Sequence, residues 1–185
     1  IGDFKVTYSG NAKKYQSSIK QGINRWVSLG TGGVSMKVTT YKENDNTVAF
    51  VTGSTIYLNE TVFAPLPNNL KVIAVAHEVG HVLGIGKWGD KYITDGAVTY
   101  LSNAIFPKTS EAYTAHIRPS GVTYAGPPLA GPGDFGQGSA LVHWSSDSTY
   151  GLQKDLMTPT LSSSADIISI VDLTYLKEIG MKVDL

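Results

Sequence analysis

Cysteine is absent from the 185 residues. Disulfide frameworks, cysteine zinc sites, iron–sulfur clusters and thiol nucleophiles are therefore excluded. Charge is scarce: Asp, Glu, Lys and Arg make up 16% of the chain, against about a quarter in an ordinary soluble domain. The 15 basic residues are balanced by 15 acidic ones, so no basic field exists to hold nucleic acid or an anionic membrane by counterion release. No apolar run reaches the roughly 18 residues that a membrane-spanning helix needs. The sequence starts at Ile1 with neither Met nor a signal-peptide pattern, and reads as a mature form or an excised domain. What remains is 42% apolar residues, enough for a core in one domain. Gly, Ser and Thr take the place of charge, a composition common in secreted bacterial and virion proteins.

Two halves differ in texture. Residues 3–8 alternate polar and apolar and read as a strand. Residues 12–29 place Tyr15, Ile19, Ile23, Trp26 and Val27 at helical spacing, with Gly30 as the stop, and predict a long amphipathic helix. Residues 34–41, 47–51 and 55–58 read as strands, and 70–84 as a second helix behind Pro65 and Pro67. Residues 85–142 are rich in Gly, Pro, Ser and Thr with little periodicity. A short helix is expected within 92–106 and a loop over 121–138. Residues 165–180 predict a closing helix, capped by Asp166 or Ser169 and ended by Gly180.

His77-Glu78-Val79-Gly80-His81 is an HExxH motif inside the second predicted helix. Residues four apart share a helix face, so both imidazoles can reach one ion. Glu78 projects beside them, placed to take a proton from metal-bound water, whose pKa zinc lowers to about 7. Gly84 extends the motif to HExxHxxG and lets the helix stop and the chain turn. Lys87, three residues on, is a poor ligand because its ammonium must first deprotonate. The third ligand must come from elsewhere, or the site is defective; His143, His116 and Asp90 are the candidates, and the affinity of zinc for imidazole favours a histidine.

The HExxHxxG helix, the late His143-Trp144 pair, the Asp155-Leu156-Met157-Thr158-Pro159 turn and the closing helix resemble the leishmanolysin-like branch of the metzincin zinc peptidases. In that branch an insertion delays the third histidine, and 85–142 fits that insertion, ending in the Gly-containing run 136–139. The resemblance is strongest over 71–88 and 136–180. It implies an α+β fold of zincin type. A twisted mixed sheet and two long helices fill an N-terminal subdomain of about residues 1–84. An irregular C-terminal subdomain of about 85–185 ends in a helix, the whole forming one catalytic domain.

The same resemblance implies His77, His81 and His143 as ligands of one Zn2+ ion, Glu78 as general base and Met157 as the methionine of a Met-turn. Thr158 and Pro159 would line the substrate pocket. Some metzincins carry a tyrosine two residues past this methionine; Pro159 stands there. Members from eukaryotes are larger and disulfide-rich, unlike this chain. The activity implied is that of a zinc endopeptidase, secreted from a bacterium or associated with a virion. It would act as a monomer on protein or peptide substrates laid along an exposed sheet edge, for which 47–51 is the candidate. A rival reading is a catalytically silent or single-turnover assembly domain, as in a virion or adhesin, that keeps the fold.

Other residues weigh less. Trp88 and Trp144 read as packing groups beside the site. Tyr124 and Tyr150 are weak oxyanion-donor candidates. Asp147 and Asp155 are candidates to orient a ligand imidazole, with bracing of the turn the plainer role for Asp155. Asp90, Asp95 and Asp134 match no calcium-loop spacing.

Overall fold

The computed structural model describes residues 3–131 and 140–185. Asp134 and the run 136–139 lie outside the described residues. The chain divides into two compact units, the first running to Leu83 and taking in Lys182–Asp184, the second spanning Gly84–Met181 with Leu185.

The first unit is a mixed α/β layer. Strand β1 (Lys5–Tyr8) leads through a 3-10 turn (Ala12–Tyr15) into helix α1 (Gln16–Val27). Strands β2 (Ser35–Tyr41), β3 (Ala49–Thr52) and β4 (Thr55–Asn59) follow, then a one-turn helix α2 (Glu60–Phe63) and the long helix α3 (Asn68–Leu83). The sheet order is β1-β2-β4-β3. The β1–β2 and β2–β4 pairs are parallel and the β3–β4 hairpin is antiparallel. The segment read as a sheet edge therefore lies at an edge, as β3.

Alternation along the strands decides which side is core. Met36 and Val38 of β2 and Ile56 and Leu58 of β4 are buried. Burying each such side chain contributes roughly 1.5–3 kcal/mol. Helix α1 buries Ile19, Ile23 and Trp26 on one face, the face its spacing marks out, and packs against α3. Gly22 permits their close approach, since a Cβ there would meet Val75 Cγ1 at 2.7 Å and the Ala76 nitrogen at 2.9 Å. The fully buried Trp26 donates its indole N–H to the Ala76 carbonyl at 2.8 Å.

The second unit holds less regular structure. A hairpin of β5 (Tyr92–Asp95) and β6 (Val98–Leu101) precedes helix α4 (Pro107–His116). The short helix expected within 92–106 is thus a β-hairpin. Its β-branched residues Ile93, Thr94, Val98 and Thr99 flank Asp95-Gly96, a turn signal that outweighs helix propensity. A 3-10 turn (Ser148–Tyr150) and helix α5 (Ile170–Glu178) complete the unit. Helix α5 is shorter than its expected span, because Ser169 caps it and Asp166 lies outside. Ser169 and Asp172 form a reciprocal capping box.

Helix α4 lacks a side-chain cap of its own. Glu178 of α5 supplies one from a distance, accepting from the Lys108 N–H at 2.8 Å, the Thr109 N–H at 3.0 Å and the Thr109 hydroxyl at 2.7 Å. Among the described residues no helix is long and apolar enough to cross a membrane.

Candidate metal centre

Helix α3 carries the adjacent His77 and Glu78 and, one turn on from His77, His81. Its buried Ile73, Ala74, Val75, Ala76 and Val79 anchor it in the first unit. One turn of helix stacks the two imidazoles edge to face, with centroids 4.8 Å apart and the Nε2 atoms 3.1 Å apart. Two nitrogens bound to one tetrahedral zinc at about 2.0–2.1 Å stand roughly 3.3 Å apart, so this pair is spaced to share an ion. Glu78 is buried, and burial pushes its carboxyl up to about 8. A divalent cation beside it would act in the opposite sense.

The helix stops at Leu83, and Gly84 turns the chain at φ +133°. Only glycine takes that conformation readily, and a Cβ there would meet Ile179 Cδ1 at 2.6 Å. Lys87, the poor ligand candidate three residues past Gly84, closes the next turn through its N–H to the Gly84 carbonyl at 3.0 Å.

In the second unit His143 sits in a bend, directly before the isolated bridge residue Trp144. Leu141 donates its N–H to the Ala130 carbonyl at 2.8 Å, and Ala130 returns its own N–H to the His143 carbonyl at 2.9 Å. Trp144 bridges to Leu129 and donates its N–H to the Met157 carbonyl at 3.1 Å. The segment is thus held between 128–130 and the turn around Met157. Leu141 stands in the left-handed region at φ +63°, which costs a non-glycine residue roughly 1–2 kcal/mol.

The imidazole nitrogens of His77, His81 and His143 all lie within 4.8 Å of one another, close enough to hold a metal ion. His116 and Asp90, the other ligand candidates, are not in this group. His116 ends helix α4, and Asp90 occupies the turn before β5.

Met157 is fully buried, and its N–H donates to Asp155 Oδ1 at 2.7 Å. Thr158 is fully buried too, its hydroxyl donating to the Asp155 carbonyl at 3.0 Å, while Pro159 is half-buried. Asp155 therefore braces the turn. Asp147 instead caps the 3-10 turn through the Thr149 N–H at 2.9 Å. Tyr124 and Tyr150 pack edge to face at 5.9 Å. Trp88 and Trp144 are buried and stacked at 4.9 Å, with Tyr175 edge-on to both.

Asp172 is a residue that the sequence reading did not single out. It accepts from Trp144 Nε1 at 2.7 Å and shares a side-chain hydrogen bond with Asp155. Its signal is the Ser169-x-x-Asp172 capping pattern, which places an acid at the start of α5. No protein-family model matches the chain, and no curated protein sequence matches it.

Proposed function

We propose that the chain is a zinc endopeptidase of the leishmanolysin-like metzincin type. The convergence of three imidazoles next to a buried glutamate carries the reading. Three neutral nitrogen donors suit zinc, and a site with three protein ligands leaves a position open for chemistry. The mixed sheet, the long helices α1 and α3 and the closing helix are compatible with that fold.

His77, His81 and His143 would hold the ion. When bound, zinc supplies Lewis acidity that polarises the scissile carbonyl and makes water acidic enough to attack near neutral pH. Glu78 accepts the proton of the attacking water and delivers it to the leaving amine nitrogen. Burial raises the proton affinity of its carboxylate, which favours taking the proton, and a bound cation would lower that affinity, which favours passing it on. Strand β3 offers a sheet edge along which an extended substrate pairs its backbone. Met157 packs as a buried apolar group in the braced turn and needs no direct bond to the ion.

A diverse peptide library incubated with the zinc-loaded protein and read by mass spectrometry tests this reading. Cuts that vanish with a chelator and return with added zinc are expected. A zinc-loaded protein that makes no chelator-sensitive cut contradicts it.

A further inference from the structure

Among the described residues Leu141 alone, apart from glycines, has a positive φ. Its carbonyl accepts the Trp88 indole N–H at 2.7 Å. Its own N–H is held by the Ala130 carbonyl at 2.8 Å, so the strained residue is clasped on both sides. Two residues on stands His143.

The donor is rigid. Trp88 is 1% exposed, stacked on Trp144 with the rings 26° apart and edge-on to Tyr175 at 5.4 Å. A buried indole needs some acceptor for its N–H. Here the acceptor belongs to Leu141, whose left-handed backbone is strained. Relaxation of Leu141 to negative φ would turn the following peptide and carry His143 out of its pairing with Ala130.

We propose that Trp88 is a positioning residue for the metal centre: its indole N–H holds Leu141 in the left-handed turn that presents His143 to the ion. This rests on the zinc reading given above. The effect acts on metal affinity, since His143 is one of three ligands, and reaches catalysis only through it. Trp88 is not one of the three ligand residues, and at 1% exposure it presents almost no surface of its own.

The test is zinc affinity, measured by competition with a chromophoric chelator, with folding checked by circular dichroism. Trp88→Phe keeps the ring stack and removes the donor; its affinity should fall about tenfold, the lower range for lost outer-shell partners. Leu141→Gly should bind like the wild type, because glycine takes positive φ without strain. The double variant Trp88→Phe with Leu141→Gly should recover most of the loss, which a packing role for Trp88 cannot explain, as glycine adds no contact. Leu141→Val, with Trp88 intact, should weaken binding, because a β-branched residue resists this conformation. It carries the test if Trp88→Phe does not fold.

Wild-type affinity in Trp88→Phe or Leu141→Val overturns the inference, as does a double variant no tighter than Trp88→Phe. Those results leave the zinc reading standing provided that His143→Ala loses affinity. Wild-type affinity in His143→Ala overturns the zinc reading, and this inference with it.

Discussion

The indole N–H of Trp144 reaches Asp172 of helix α5 at 2.7 Å, and the Asp172 carboxylate is hydrogen-bonded to Asp155 of the turn around Met157. Two buried carboxylates thus tie the segment after His143, the turn and the closing helix together. Ser169 donates its hydroxyl to Asp155 Oδ2 and its N–H to Asp172 Oδ2 at 2.9 Å.

This pair has a pH signature. Burial, and then the neighbouring Asp172 charge, push Asp155 well above the usual carboxylate range, and burial pushes Asp172 up as well. The folded state therefore keeps a proton that the unfolded chain releases near pH 3.9. The stabilisation is complete below about pH 3.9 and is lost as pH rises toward the folded pKa. Asp155→Asn approximates the protonated form: its amide oxygen still accepts from Met157 and its NH2 donates to Asp172, while the Ser169 hydroxyl loses its acceptor at every pH. Urea unfolding from about pH 4 to about pH 8 should show a shallower decline for the variant than for the wild type. Glu78 adds the same slope to both proteins and cancels in the comparison. Equal slopes would show that the pair holds no extra proton.

Asn59 makes a second buried polar hub. Its Nδ2 donates to the carbonyls of Glu43 and Thr47 at 3.1 and 2.9 Å and to Asp45 Oδ1 at 3.2 Å. Its Oδ1 accepts from the N–H groups of Glu43 at 3.1 Å and Thr61 at 3.3 Å. This fixes the loop ahead of edge strand β3. Asn59→Asp keeps the shape but loses every side-chain donor and adds repulsion from Asp45. Thermal unfolding should report a loss of roughly 2–4 kcal/mol. A loss no greater than that of a surface substitution would remove Asn59 from this role.

Glu178 is the remote cap of helix α4. Glu178→Ala leaves the Lys108 and Thr109 donors without it, and should cost about 1–2 kcal/mol by chemical denaturation. Glu178→Gln retains an acceptor oxygen and should cost less. The reverse ranking would mean that packing of the side-chain stem, not the cap, sets the effect.

Metal should couple to stability. Zinc at about 100 times its dissociation constant adds roughly 2.7 kcal/mol if only the folded chain binds it. The melting temperature should rise with zinc, fall with a chelator, and respond little to zinc in His143→Ala. An equal zinc response in that variant would place the ion elsewhere.

Much of the first unit was legible in the sequence because its signals are local. The α1 spacing, the alternation of β2 and β4 and the HExxHxxG run each depend on near neighbours. The 92–101 hairpin was misread although Asp95-Gly96 marks its turn, because loop-rich composition around it masked two four-residue strands. Helix α4 was missed because its main cap, Glu178, lies 69 residues away from Thr109. The ligand candidates were legible from donor chemistry, and the grouping of His143 with His77 and His81 needed coordinates. The strain at Leu141 and its clasp by Trp88 leave no local pattern, since the partners are 53 residues apart.

Glu78 separates a peptidase from a domain that only stores the ion, because a purely structural site has no use for a base. The decisive measurement compares wild type with Glu78→Gln for both zinc content and peptide cleavage. Equal zinc with cleavage reduced about 100-fold or more is expected, the scale of a lost general base. Equal zinc with undiminished, chelator-sensitive cleavage would contradict the role given to Glu78 and, with it, the mechanism proposed here.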